Sequence, residues 1–223
     1  MSEHAKAVLI SGGLDSAILV AHLARRSPRS EITPIFIQSG LQWENIELEY
    51  MKTYLEKVQH LFSNIKKLVV LSQPVTDLYQ QHWSTTGKDV PDASTPDEAV
   101  YLPGRNLLLT AKALVWCHLH KVNELALGIL GSNPFPDATI DFFETYSRAV
   151  QLALGDKKLH IITPFSNMHK PEVMQLGKDL PLEWSFSCIH PQGQLHCGRC
   201  NKCAERKQAF IDAGMNDPTK YER

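Results

Sequence analysis

Along this 223-residue chain the apolar positions switch between compact runs and helical spacing. Ala7-Val8-Leu9-Ile10, the segment 32–37, the segment 67–71, the segment 125–130 and the segment 160–164 are short runs that read as strands. Between them, Leu14, Ile18 and Ala21 with Leu19 and Leu23 mark a helix through Arg26, and Leu48, Met51, Leu55 and Val58 mark one over 44–61. Further helices are expected from about 103 to 120, carrying Leu107, Leu108, Ala111, Leu114 and Val115, over 140–154, and from Lys170, with Pro171 in the first turn. This recurring strand–helix rhythm argues for an α/β fold with a doubly wound parallel sheet. In such sheets ligands gather at the carboxyl ends of the strands.

One stretch breaks the rhythm. Residues 72–102 hold Pro74, Gly87, Pro91 and Pro96 and the acids Asp89, Asp92, Asp97 and Glu98, with little periodicity beyond a turn near 77–83. A loop this long inside a compact domain is usually functional or disordered. It is read as a lid over the ligand site, with a disordered excursion as the other reading.

Composition narrows the function classes. No eighteen consecutive residues are apolar, so no membrane span is expected. The start, Met1-Ser2-Glu3-His4-Ala5-Lys6, leaves no room for a signal-peptide pattern, and a cytoplasmic protein is expected. A net charge of −1 and a pI near 6.8 supply no global field for nucleic acid, which is not an expected partner. The local cluster Arg199, Lys202, Arg206 and Lys207 is read as solvated surface, with an RNA contact as the alternative.

Four of the five cysteines lie in the last quarter, as Cys188-x8-Cys197-x2-Cys200-x2-Cys203. In a cytosolic chain that spacing points to metal rather than disulfides. Four thiolates suit a closed, structural zinc site, and an iron–sulfur cluster is the rival. His190 and His196 lie close enough in sequence to replace a ligand. Cys117, on a predicted helix, is assigned to the core. The expected organisation is an α/β body over 1–183 and a small zinc-bound extension over 184–223.

Between the first strand and helix stands Ser11-Gly12-Gly13-Leu14-Asp15-Ser16. Two glycines there let the backbone approach a ligand, and free N–H groups at the helix start favour an anion. No lysine follows the glycines, so this is not the Gly-Lys-Ser/Thr phosphate loop. SGGxDS instead resembles the PP-loop of ATP pyrophosphatases, which adenylate a substrate and release pyrophosphate. Together with Pro103-Gly104-Arg105-Asn106, Pro136-Asp137, Thr163-Pro164, Lys170, Ser187-Cys188 and Cys197-Gly198-Arg199-Cys200-x2-Cys203, it makes the chain resemble the 7-cyano-7-deazaguanine synthase (QueC/ExsB) family.

That resemblance implies a Rossmann-like body of the adenine-nucleotide alpha-hydrolase type and an ATP-dependent C–N ligase. The acid of 7-carboxy-7-deazaguanine would be adenylated and attacked by ammonia, and a second adenylation would give the nitrile. ATP and Mg2+ would be held by Leu9, Ile10, Ser11, Gly12, Gly13, Leu14, Asp15, Ser16, Gly104 and Arg105, with Asp15, Ser16, Arg105 and Lys170 in the chemistry. Asn106, Phe135 and Asp137 would bind substrate, Phe135 by stacking and Asp137 by accepting ring N–H groups. Zn2+ would sit on Cys188, Cys197, Cys200 and Cys203, and a homodimer is allowed. Arg105 as a simple ion-pair partner, Lys170 as a solvated helix start, Phe135 as a core plug and Asp137 as a helix cap are the ordinary readings of the same residues.

Two segments depart from the family pattern. Ala138-Thr139 stands where nitrile-forming members typically have Cys-Arg, and Gly40-Leu41-Gln42-Trp43-Glu44 differs from the family's usual Gly-Gln-Arg-His. Both fall on loops expected to face the ligand, so another small carboxylate, or an amide or other amine product, is the alternative. A PP-loop tRNA-modifying enzyme, such as a thiolase or a lysidine-type ligase, fits less well; a thiolase needs free cysteines, and only Cys117 lies outside the cluster. A non-catalytic nucleotide-binding module would be expected to have a broken loop, and this one is complete.

Overall fold

The computed structural model describes residues 5–222; the segment before the first strand and Arg223 lie outside the described residues, and with them most of the leader reading. Five parallel strands, β1 (Lys6–Ile10), β2 (Ile32–Gln38), β3 (Val69–Ser72), β4 (Glu124–Ala126) and β5 (His160–Ile162), stand in the order β3-β2-β1-β4-β5. The order reverses between β1 and β4, and the crevice beyond their carboxyl ends is where such a sheet binds ligands.

The central strand explains the layers. Successive side chains of a strand point to opposite faces. Val8 and Ile10 enter a core with α1 (Leu14–Arg26), α2 (Glu44–Leu61) and α7 (Lys170–Leu176). Ala7 and Leu9 enter the opposite core with α5 (Arg105–Leu119) and α6 (Ile140–Leu154). Both faces are covered, which is why the strand reads as an unbroken apolar run. Cys117 sits wholly inside the second core, and burial pushes its thiol up to about 12.

The strands stop sooner than the apolar runs do. β4 ends at Ala126 although the run continues to Leu130, and β5 ends at Ile162. The reason at β4 is a crossing: Gly128 passes over the start of α1, where a Cβ would lie 3.1 Å from the Asp15 carbonyl carbon.

A third apolar cluster caps the carboxyl edge of the sheet. It joins Leu41 and Trp43 to Val100 and Leu102, and to Phe186 and the four clustered cysteines. Residues 72–102 are ordered within it, as α3 (Thr76–Tyr79), α4 (Trp83–Thr86) and a 3-10 turn at Asp97–Val100. Their order comes from afar: Ala93 N–H donates to the Arg199 carbonyl at 3.0 Å, and the Asn201 side chain donates to the Thr95 carbonyl at 2.8 Å. The C-terminal helix, α8 (Asn201–Asp212), packs on α7 and sends Ala209 and Phe210 into the first core. Among the described residues no helix is long and apolar enough to cross a membrane.

Candidate active site

A cavity of about 300 Å³ opens where β1 and β4 part. The loop 11–16 forms its floor. Gly12 takes φ +77, and a side chain there would meet Glu47 Cγ at 2.3 Å, so only glycine fits. Gly13 caps α1 without any side-chain hydrogen bond, which leaves the first helical N–H groups free for an anion. Ser16 Oγ accepts from the Ser11 N–H at 3.2 Å and donates to the Gly13 carbonyl at 3.1 Å, holding the loop closed on itself. The Phe186 N–H donates to the Gly12 carbonyl at 2.7 Å, so the C-terminal region also pins this loop.

Lys170 Nζ, at the start of α7, donates to both Asp15 oxygens at 2.8 Å and is not a solvated lysine. It brings a cation from 155 residues away onto the loop. Arg105 opens α5 after Gly104, whose φ of +72 turns the chain into the helix. Its Nε is buried with no partner among the described residues. Of the residues expected at the nucleotide and substrate, all but Gly12 and Gly104 line this one cavity. Those two shape the turns.

Asp137 lines the cavity and also takes the capping role of its ordinary reading. It is buried, and its Oδ2 accepts the Asn106 N–H at 2.9 Å while Oδ1 lies 3.4 Å from the Asn106 amide nitrogen. The carboxylate therefore caps the first turn of α5. Phe135 stacks on Tyr101 with centroids 5.1 Å apart, at the cavity wall. Thr139, one of the departures from the family pattern, caps α6 by accepting the Phe142 N–H at 3.1 Å.

The other departure also has a local cause. Glu44 Oε2 accepts three N–H bonds, from Ser39 and Gly40 at 2.7 Å and Leu41 at 3.1 Å, and closes the turn between β2 and α2. That turn buries Trp43, which stacks on Trp83 of α4 at 5.7 Å and 17°. Both rings line the cavity.

Several other lining residues carry no motif in the sequence, and Lys202, read there as solvated surface, is one of them. Glu47 is 5% exposed, and its Oε2 has no hydrogen-bond partner among the described residues. Burial pushes its carboxyl well above the ordinary range, against the pull of Arg105, and Glu44 adds to the rise. The available signal was position: Glu47 falls on the same helical stripe as Met51, Tyr54 and Val58. Lys202 and Glu205 of α8 also face the cavity.

Arg206 overturns the reading of a solvated basic cluster. It is 1% exposed and donates to Ser185 Oγ at 2.9 Å, the Leu182 carbonyl at 2.8 Å and Thr219 Oγ1 at 2.6 Å. A buried guanidinium is tolerated because its donors are satisfied.

The four thiols of Cys188, Cys197, Cys200 and Cys203 are buried and lie within 4.8 Å of one another. Backbone N–H groups of Cys197 and Cys200 point at Cys188 Sγ and Cys197 Sγ, each at 3.3 Å. The donor set fits a metal ion. His196 lies outside it: its ring is 1% exposed, packs on Phe186 at 4.3 Å, and accepts the Ser187 N–H. His190 is absent from the set as well.

A family model described as "Queuosine biosynthesis protein QueC" matches residues 5–214. Similar proteins include one named 7-cyano-7-deazaguanine synthase 2 from Sulfurisphaera tokodaii, 31% identical over 96% of this chain; the chain spans 47% of that relative's length. Proteins named 7-cyano-7-deazaguanine synthase from Methanothermobacter thermautotrophicus and Methanocaldococcus jannaschii are each 28% identical, over 96% of this chain and 97% of their own. Among solved structures, the U34-tRNA thiolase NcsA from Methanococcus maripaludis with its 4Fe–4S cluster aligns with a TM-score of 0.50 and 14% identity, over 96% of this chain and 68% of that one. That likeness is one of fold.

Proposed function

The chain belongs to the QueC family, and from that premise we propose that it is an ATP-dependent ligase converting 7-carboxy-7-deazaguanine and ammonia to 7-cyano-7-deazaguanine. The observation that carries the reading is the meeting of the PP-loop, Lys170 and Arg105 in one cavity at the sheet's switch point.

A carboxylate oxygen is a poor leaving group, and adenylation makes it a good one. The substrate carboxylate attacks the α-phosphorus of ATP, and the bond to pyrophosphate breaks. The free N–H groups at the start of α1, with Ser11 and Ser16, hold the phosphates, and Lys170 offsets their charge. Magnesium, which Asp15 on this loop would hold, would neutralise charge on the departing pyrophosphate. Arg105 steers the substrate carboxylate or a phosphate. Ammonia then attacks the acyl carbon, AMP departs with the bonding pair, and a proton is released, giving the amide. A second adenylation, at the amide oxygen, lets AMP leave again with loss of protons, and the nitrile remains. The walls of Trp43, Trp83, Tyr101 and Phe135 suit a flat heterocycle.

Zinc is the metal proposed for the cysteines, held by the 184–223 extension to the 1–183 body. Thiolates on one tetrahedral zinc stand roughly 3.8 Å apart. Cys188 and Cys200 lie at 3.8 Å, and Cys197 and Cys203 at 4.0 Å, which supports a single ion over a cluster.

Mass spectrometry after incubation with the acid, ATP, magnesium and ammonium tests the reaction. A nitrile is the expected product. An amide or another amine adduct would keep the adenylation and move the product, and unreacted acid would remove deazaguanine as the substrate.

A further inference from the structure

Lys202 and Glu205 lie near the start of α8, on either side of Cys203, and both line the cavity that holds the phosphate loop. Lys202 Nζ donates to Glu205 Oε2 at 2.5 Å. Lys170 Nζ lies 3.8 Å from Glu205 Oε1 while it bonds both oxygens of Asp15. Charges therefore alternate without a gap from the loop to the cysteine-bearing helix: Asp15, Lys170, Glu205, Lys202.

On an open helix face, a lysine–glutamate pair three residues apart contributes little. This pair is set otherwise, because it shares a cavity with the anion-binding loop and because Glu205 is placed between two lysines. A divalent cation on Asp15 repels the Lys170 ammonium and weakens its hold on the two oxygens. When it turns to the cation, Lys170 needs another carboxylate, and among the described residues Glu205 is the only other one within 4 Å. Lys202, with Glu205 then shared, has an ammonium free to face the cavity.

We infer that the Lys202–Glu205 turn is a second arm of the nucleotide site: Glu205 is the positioning carboxylate that receives Lys170 when Asp15 is engaged, and Lys202 binds a phosphate oxygen of ATP or of the departing pyrophosphate. The inference rests on the adenylation reading and adds to it two residues of the cysteine-bearing region. It makes that region part of the phosphate site rather than a remote staple.

The test is calorimetric binding of ATP, and separately of inorganic pyrophosphate, each with magnesium, to the full chain with its metal content measured. Lys202→Met weakens pyrophosphate binding about tenfold, as expected for the loss of one charge-assisted hydrogen bond, and Lys202→Arg restores most of it. Lys202→Gln serves as the second neutral variant if the first does not fold. Glu205→Gln weakens the magnesium-dependent part of binding several-fold, because Lys170 stays on Asp15. Lys207→Met is the comparison on the same helix: Lys207 donates to the Gly198 carbonyl and lies over the Tyr221 ring, away from the cavity, and its loss changes affinity less than twofold. Equal pyrophosphate affinity in wild type and Lys202→Met, or an equal loss in Lys207→Met, overturns the second arm and leaves the adenylation reading intact. Wild-type protein that binds neither ATP nor pyrophosphate overturns the adenylation reading itself.

Discussion

Val8 and Ile10 look to one side of the sheet and Ala7 and Leu9 to the other, so the central strand of the body sorts its apolar groups between two cores by parity alone. The cap over the carboxyl edge has no such repeat. Four of its buried members are the metal-competent cysteines, and its segments meet through single hydrogen bonds such as Ala93 to Arg199 and Asn201 to Thr95. The body is an ordinary product of apolar burial, which is redundant and tolerant. The cap depends on a few directed bonds, and the loss of one element should release the rest. The site lies between them, with the loop contributed by the body and much of its enclosure by the cap.

The sharpest way to separate the two regions is to remove the metal. Chelation, or Cys200→Ser, should leave the helix and sheet signal of the body by circular dichroism. It should expose 72–102 and 184–222 to limited proteolysis, and pyrophosphate release should fall by more than a hundredfold. A cap that stays protected without metal would show that apolar contacts alone hold it.

Within the body, Asp15→Ala should lower substrate-dependent pyrophosphate release by about a hundredfold or more with little change in melting temperature, because it opens no core cavity. Retained wild-type turnover would remove the loop carboxylate from the chemistry.

Glu47 tests the seam through pH. Its carboxyl is raised in the folded chain, so folding favours its protonated form. The stability this gives is full below the unfolded pKa and is lost as pH rises through the folded one. Glu47→Gln should therefore gain stability over wild type with rising pH, by at most about 1.4 kcal/mol per pH unit, and converge with it in acid. Parallel denaturation curves across pH would show that Glu47 is paired after all.

The smallest effect is expected at α6. Thr139→Ala removes a helix cap and should cost about 1 kcal/mol by urea denaturation, with pyrophosphate release unchanged. A change in product would instead make Thr139 a specificity residue.

The legible parts of the sequence are those with a local cause. The helices over 44–61 and 140–154 agree with the structure because an apolar stripe is a local pattern. The strand expected over 125–130 is cut at Ala126 by the Gly128 crossing, and nothing near Leu127 announces a neighbour that begins at Asp15. Residues 72–102 looked patternless because their order is supplied by Arg199 and Asn201, a hundred residues on. Arg206, among basic neighbours on a polar helix, had every mark of a surface residue; its hydrogen-bond acceptors come from the 182–187 stretch and Thr219. In the site, the loop and the cysteines were recognisable by spacing. Glu47 and the Lys202–Glu205 pair were not, since their meaning depends on a cavity built by distant elements.

The hydrogen bond from the Phe186 N–H to the Gly12 carbonyl has a consequence in time. A chain emerging from the ribosome presents Gly12 early and Phe186 late, and domains form as their segments become available. The loop thus leaves the tunnel long before the strap that fixes it, and before the helix carrying Lys202. The phosphate loop is therefore fastened only after the segment that carries Phe186 has emerged.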